Sequence, residues 1–182
     1  LNETDIKTFW NKLSTAKMEK YTALALKLQL ITAQRKGEVA GAEWVNFDLK
    51  DGWWTIPAEK SKNGFPHRVP LSSLAMETLN ELEELTGSSR WLFPSPRDGQ
   101  HIAETSVDHA VRENAEHFEV DHFTPHDLRR TAASMMTASG IQRLTVAKVL
   151  NHVESGVTAV YDRHSYDKEK RKALSVWGQK LR

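Results

Sequence analysis

Arg35 and Glu38 stand three positions apart just beyond an apolar stretch, so on a helix they share one face, with the carboxylate placed to orient the guanidinium. Read alone, Arg35-Lys36-Gly37-Glu38 is equally a solvated surface ion pair, which contributes little. His126 and Arg129 repeat the spacing at a helix start spelled by Thr124-Pro125-His126-Asp127, with Thr as cap, Pro at the first helical position and Asp able to reach back. Backbone N–H groups and the helix dipole favour an anion there, and both side chains can converge on it. The plainer alternative is a helix-start His beside a surface pair, Arg129-Arg130. Leu150-Asn151-His152 follows, and nine residues past the His comes Tyr161.

These groups need elements to hold them. Tyr21, Leu24, Leu28 and Ile31 recur at helical spacing and predict a core helix with one apolar stripe, ending before Thr32-Ala33-Gln34-Arg35. Between Trp44 and Leu71 the period changes. Val45, Phe47 and Leu49 alternate with polar partners, Lys50-Asp51-Gly52 reads as a turn, and Trp54 and Ile56 resume the alternation. Asn63-Gly64 is a second turn signal, just after Lys62, and His67 to Leu71 returns as an edge strand with Pro70 near its end. The chain is helical from there on. Leu71, Leu74, Thr78, Leu82 and Leu85 mark one helix ending at Gly87, and Val107, Val111 and Phe118 mark another. A third runs from Thr124 to about Gly140, shorter pieces cover Leu144 to Leu150 and Thr158 to Tyr161, and a basic amphipathic tail spans Asp167 to Leu181. The fold class expected is mainly α (α+β): a helical domain with a small three-stranded antiparallel β-sheet.

The chain has 182 residues, 39% hydrophobic and 27% charged, with nine Gly and six Pro, a composition that fits one folded domain and excludes a disordered or fibrous chain. It has no cysteine, which removes disulfides, thiolate nucleophiles and sulfur-based zinc sites and fits a reducing, intracellular setting. His122 and His126 straddle Pro125 and cannot share a regular helical face, so no metal site is expected. No window approaches the roughly 18 apolar residues of a membrane helix. The start, Leu1-Asn2-Glu3-Thr4-Asp5, carries neither an initiator Met nor a signal peptide and reads as a piece cut from a longer protein, with an N-terminal partner domain preceding it. Basic and acidic residues nearly cancel, 25 against 24, but residues 162–182 are electropositive, with Lys168, Lys170, Arg171, Lys172, Lys180 and Arg182 among them.

Taken in order, Arg35-x-x-Glu38, Lys62 in a β-turn, His126-x-x-Arg129, His152 and Tyr161 resemble the catalytic signature of the tyrosine recombinases, also called the phage integrase family. The match covers the chain from Arg35 onward. The stretch Lys62 to Ser72 and the tail Tyr161-x-Arg163, Arg171 and Trp177 are similar to integrases of bacterial prophages and genomic islands. Asn151 departs from the family's frequent Gly.

The resemblance implies that residues 1–182 are the C-terminal catalytic domain of a site-specific DNA recombinase. Tyr161 would attack a DNA phosphodiester, forming a 3′-phosphotyrosyl bond and freeing a 5′-hydroxyl. Charge gathers on the non-bridging oxygens during such an attack, and the forks of Arg35 and Arg129 suit it, with His152 adding a hydrogen bond. A tyrosine hydroxyl has a reference pKa of about 10, so about one molecule in a thousand is ionised at pH 7 without help. His126 is the residue placed to take that proton. For the acid on the departing 5′-oxygen the resemblance nominates Lys62, with Lys60 close enough in sequence to substitute. Glu38 supports Arg35. No cofactor is implied. The partners implied are double-stranded DNA attachment sites, further protomers assembling as a tetramer on DNA, and an excisionase or host DNA-bending protein, in the bacterial cytoplasm on the nucleoid. A catalytically inactive DNA-binding relic or regulator of the same fold, or a topoisomerase-like nicking and resealing enzyme, is the competing reading.

Overall fold

Helix α2 (Lys20–Thr32) buries residues on every side, including Ala23, Leu24, Leu26, Leu28, Leu30 and Ile31. The single apolar stripe expected of it is therefore corrected: a helix apolar all round belongs at the centre of a core, not on its edge. The computed structural model describes residues 1–96, 99–153 and 164–182. Around α2 pack helices α3 (Lys36–Ala40), α4 (Ser73–Thr86), α5 (Glu104–Glu113), α7 (Pro125–Ala138) and α9 (Asp167–Lys180).

An N-terminal helix, α1 (Glu3–Lys12), has no counterpart in the sequence reading. Its capping box, Asn2 Oδ1 accepting from the Asp5 N–H and Asp5 Oδ2 from the Asn2 N–H, starts it. It buries Phe9 against Phe118 and Phe123, with ring centroids 5.0 and 5.2 Å away. The helix expected through Val107, Val111 and Phe118 is two, α5 and α6 (Ala115–Phe118). Asn114 interrupts them because its buried amide bonds elsewhere, accepting from the Lys17 N–H at 2.7 Å and donating to the Ala110 carbonyl at 2.9 Å.

The sheet has the order β1-β2-β3 and is antiparallel, from β1 (Phe47–Asp48), β2 (Trp53–Ile56) and β3 (His67–Pro70). Trp54 pairs with Val69 and Ile56 with His67, which turns all four inward. Val45 lies outside the strand it was expected to begin: it sits in a 3₁₀ turn over Trp44–Asn46 and is 83% exposed. Alternation ran past the strand ends because Asp48 Oδ1 accepts from the Asp51 N–H at 2.9 Å and turns the chain, with Gly52 at φ +68° completing the turn.

Helix α7 starts where the Thr-Pro-His-Asp signature predicts, and its capping box is formed. Helix α8 (Arg143–Val149) follows. The expected helical piece at Thr158 to Tyr161 lies outside the described residues. Helix α9 docks on its own domain, burying Leu174 and Trp177. Gly178 permits the close approach, since a Cβ there would lie 2.9 Å from Ser72 Oγ. No helix among the described residues is long and apolar enough to cross a membrane.

Candidate active site

A helix leaves its last carbonyls without backbone partners, and two helix ends meet here. At the end of α2, Trp177 Nε1 donates to the Leu30 carbonyl at 2.8 Å, Gln34 Nε2 to Thr32 at 2.7 Å and Arg129 Nη1 to Ala33 at 2.6 Å. At the end of α8, His67 Nε2 and Gln34 Nε2 each lie 3.0 Å from the Val149 carbonyl, and Arg129 Nη2 donates to the Leu150 carbonyl. Arg129 thus ties the chain ahead of Arg35 to the chain ahead of His152.

That guanidinium is 3% exposed, and among the described residues no carboxylate pairs with it. Burial, with the Arg35 charge beside it, lowers its pKa to about 10, which leaves it cationic at neutral pH. A guanidinium has five N–H donors, and two carbonyls do not exhaust them or neutralise the charge.

Arg35 caps α3 in an unusual capping box. Glu38 Oε2 accepts from the Arg35 backbone N–H at 3.0 Å, and Oε1 accepts from its guanidinium at 2.8 Å. Glu38 is buried and the Arg35 side chain retains 22% exposure, so the carboxylate fixes the fork from beneath and leaves its outer edge open. The surface ion pair considered from sequence is excluded by that burial.

Arg35, Lys62 and His126 line one cavity of about 860 Å³, with Glu38, Lys60 and Thr124 also on its wall. Lys62 is exposed on the β2–β3 turn, and among the described residues its ammonium has no partner. Lys60, the other candidate acid, is committed elsewhere: Nζ donates to the Gly41 carbonyl at 2.8 Å, pairs with Glu43 and sits 4.6 Å from the Trp91 ring centroid. Arg90 and Lys60 together hold the Glu43 carboxyl down to about 2. His126 is exposed in the first turn of α7.

Arg129 and His152 do not line that cavity. Arg129 lies buried beneath, and His152 borders an adjacent cleft with His67 and Asn151. Their link is electrostatic and through the backbone. Burial, then the Arg129 and Arg35 charges, lowers the His152 pKa, and the His152 N–H donates to the Ala147 carbonyl at 3.0 Å. Tyr161 lies outside the described residues.

Sequence reasoning missed His67. It is 5% exposed, and burial together with Lys170, Arg129 and Arg35 drives its pKa to about 4, so the ring is neutral and Nε2–H must be the donor to Val149. Strand alternation held the signal, since His67 falls on the inward side with Val69. Among the described residues no group of three or more His, Asp or Glu could hold a metal.

Helical layers around α2, a three-stranded sheet and a cationic floor under an open cavity define the fold and its site. A sequence profile of the phage integrase family matches residues 1–168, and the chain belongs to that family, the tyrosine recombinases. It is similar to prophage integrase IntA of Escherichia coli strain K12, 28% identical over 166 residues that cover 91% of this chain and 40% of that protein. Among solved structures, the integrase of mycobacterium phage Brujita superposes with a TM-score of 0.74 at 18% identity, over 100% of this chain and 62% of that one. A lambda integrase tetramer bound to a Holliday junction gives 0.68 at 21% identity, over 92% of this chain and 48% of that one. The chain spans about two fifths of the length of curated relatives it matches.

Proposed function

We propose that residues 1–182 form the catalytic domain of a site-specific recombinase that integrates or excises a prophage or genomic island, breaking and rejoining DNA through a phosphotyrosyl intermediate. The observation that carries this reading is the buried Arg129, which no carboxylate pairs among the described residues, beside the Glu38-oriented Arg35: two fixed cations close together suit a phosphodiester whose charge grows during attack. In this reading Tyr161 Oη bonds to phosphorus while its proton passes to His126. The 5′-oxygen departs with a proton from Lys62, and His152 donates a hydrogen bond to a non-bridging oxygen. Reversal by the 5′-hydroxyl of a partner strand conserves the bond, and no metal or cofactor enters.

Double-stranded attachment sites are the substrate in this proposal, further protomers and an excisionase or host DNA-bending protein the partners, and the bacterial nucleoid the place. The lambda integrase tetramer on a Holliday junction supports assembly on DNA by analogy. The test is incubation with nicked suicide duplexes carrying the element's ends, then denaturing electrophoresis and peptide mapping. An adduct on Tyr161 supports the reading. DNA binding without an adduct, or an adduct on Tyr21 or Tyr166, overturns it, the first in favour of a silent binding domain.

A further inference from the structure

The turn between β2 and β3 is fastened at two residues, and they flank Lys62. Asn63 Nδ2 donates to the Asn151 side-chain oxygen at 3.0 Å and to its backbone carbonyl at 3.2 Å. In return Asn151 Nδ2 donates to Asn63 Oδ1 at 3.3 Å and to Ser61 Oγ at 3.0 Å. Ser61 Oγ closes the set by donating to Asn63 Oδ1 at 2.8 Å, and the Phe65 N–H reaches the same oxygen at 3.1 Å. Two primary amides facing each other this way exchange donor for acceptor. Asp in either place lacks the donors, and an apolar residue lacks both.

Asn151 stands at φ +50°, a left-handed position that Asn tolerates better than most residues with a side chain. Its neighbour is His152. Ser61 and Asn63 fix the backbone on both sides of Lys62, while the Lys62 ammonium stays without a partner among the described residues and lines the cavity with Arg35.

From this geometry we infer that Asn151 is a positioning residue for Lys62: its side chain latches the β2–β3 turn to the backbone immediately before His152, so that the acid and the phosphate-binding histidine are set by one contact. The inference rests on the role proposed above for Lys62. A latch of this kind orders an exposed turn before DNA arrives, so its ordering cost is not charged to the reaction.

The test compares wild type, Asn151→Gly, Asn63→Ala, Lys62→Ala and the Asn151→Gly/Lys62→Ala double variant in single-turnover adduct formation. Gly keeps the left-handed backbone and removes the amide. Each protein meets two suicide duplexes, one with the ordinary 5′-oxygen at the scissile bond and one with sulfur there. A thiol has a pKa of about 8.5, so it departs with little need of an acid. Expected is a slowing of about tenfold for Asn151→Gly and Asn63→Ala on the oxygen duplex, with the sulfur duplex within about twofold of wild type. Lys62→Ala is slowed more, again on oxygen alone, and adding Asn151→Gly to it costs nothing further.

Equal slowing on both duplexes, no slowing, or additive losses in the double variant overturns the inference. If the wild type itself forms no adduct on either duplex, it is the proposed function that fails. The latch is then judged separately by hydrogen exchange over residues 61–65, where Asn151→Gly and Asn63→Ala should exchange faster and unchanged rates overturn it.

Discussion

Arg129 donates to the Ala33 carbonyl at 2.6 Å, and Ala33 is itself the left-handed residue, φ +57°, that ends α2. The same backbone reversal that exposes this carbonyl swings the chain so that Arg35 follows two residues later beside Arg129. Neither arginine is placed independently: one turn of unfavourable backbone sets both, and the guanidinium that uses the turn also stabilises it. Arg129→Lys keeps the charge but cannot span Ala33 and Leu150 with a planar fork. Leaving a buried carbonyl unpaired should lower stability by about 1–3 kcal/mol in urea unfolding. Adduct formation should fall by about a hundredfold or more, as for other fixed donors at a charged transition state.

Glu38→Gln tests the clamp under Arg35. The amide keeps the shape but loses the charge and one acceptor facing the guanidinium, weakening both arms of the capping box. A stability loss of about 1 kcal/mol is expected, with a larger proportional loss in adduct rate than in DNA affinity. A variant that loses affinity and rate equally would show Glu38 acting on binding alone.

His67 makes stability depend on pH with a definite sign. Its pKa is about 4 in the folded chain against 6.5 ordinarily, so between those values the unfolded chain binds more protons. Stability is therefore full above about pH 6.5 and is lost as pH falls toward 4, by up to about 3 kcal/mol from this residue. His152, also lowered, adds in the same direction. Glu43 acts in a separate window, between 4.5 and about 2. Urea midpoints measured from pH 7 to pH 4 should show the slope, and His67→Gln should flatten it.

Tyr161→Phe removes one hydroxyl. Adduct formation should vanish while binding to a duplex site changes little, because phosphate contacts by Lys and Arg dominate affinity. Titration at two salt concentrations checks this, since an unchanged salt dependence means unchanged phosphate contacts. Persistence of the adduct in the Phe variant would place the nucleophile elsewhere.

Local chemistry with a short reach was readable in the chain. The Thr124-Pro125-His126-Asp127 start, the edge strand ending at Pro70 and the Arg35–Glu38 pairing each need only residues close in sequence, and all three occur. What stayed hidden depends on partners far along the chain. Nothing near Asn114 announces that its amide will bond Lys17, and so the break between α5 and α6 was unreadable. Asn63 and Asn151 are 88 residues apart, which is why Asn151 read as a mere departure from Gly. Nor could the chain rule out the plainer alternative for Arg129, half of a surface Arg-Arg pair, because its burial depends on two helix ends meeting over it.

The hydrogen bond from Trp177 to Leu30 joins residues 147 positions apart. A chain emerging from the ribosome can form α2 early, but that helix is apolar on all sides and keeps an uncovered flank until Leu174 and Trp177 have been made. The core therefore closes only once residues 167–180 have been made, a slow, long-range step that leaves the nascent chain open to chaperone capture or aggregation until then. A chain that lacks residues 167–180 lacks the lid of its own core.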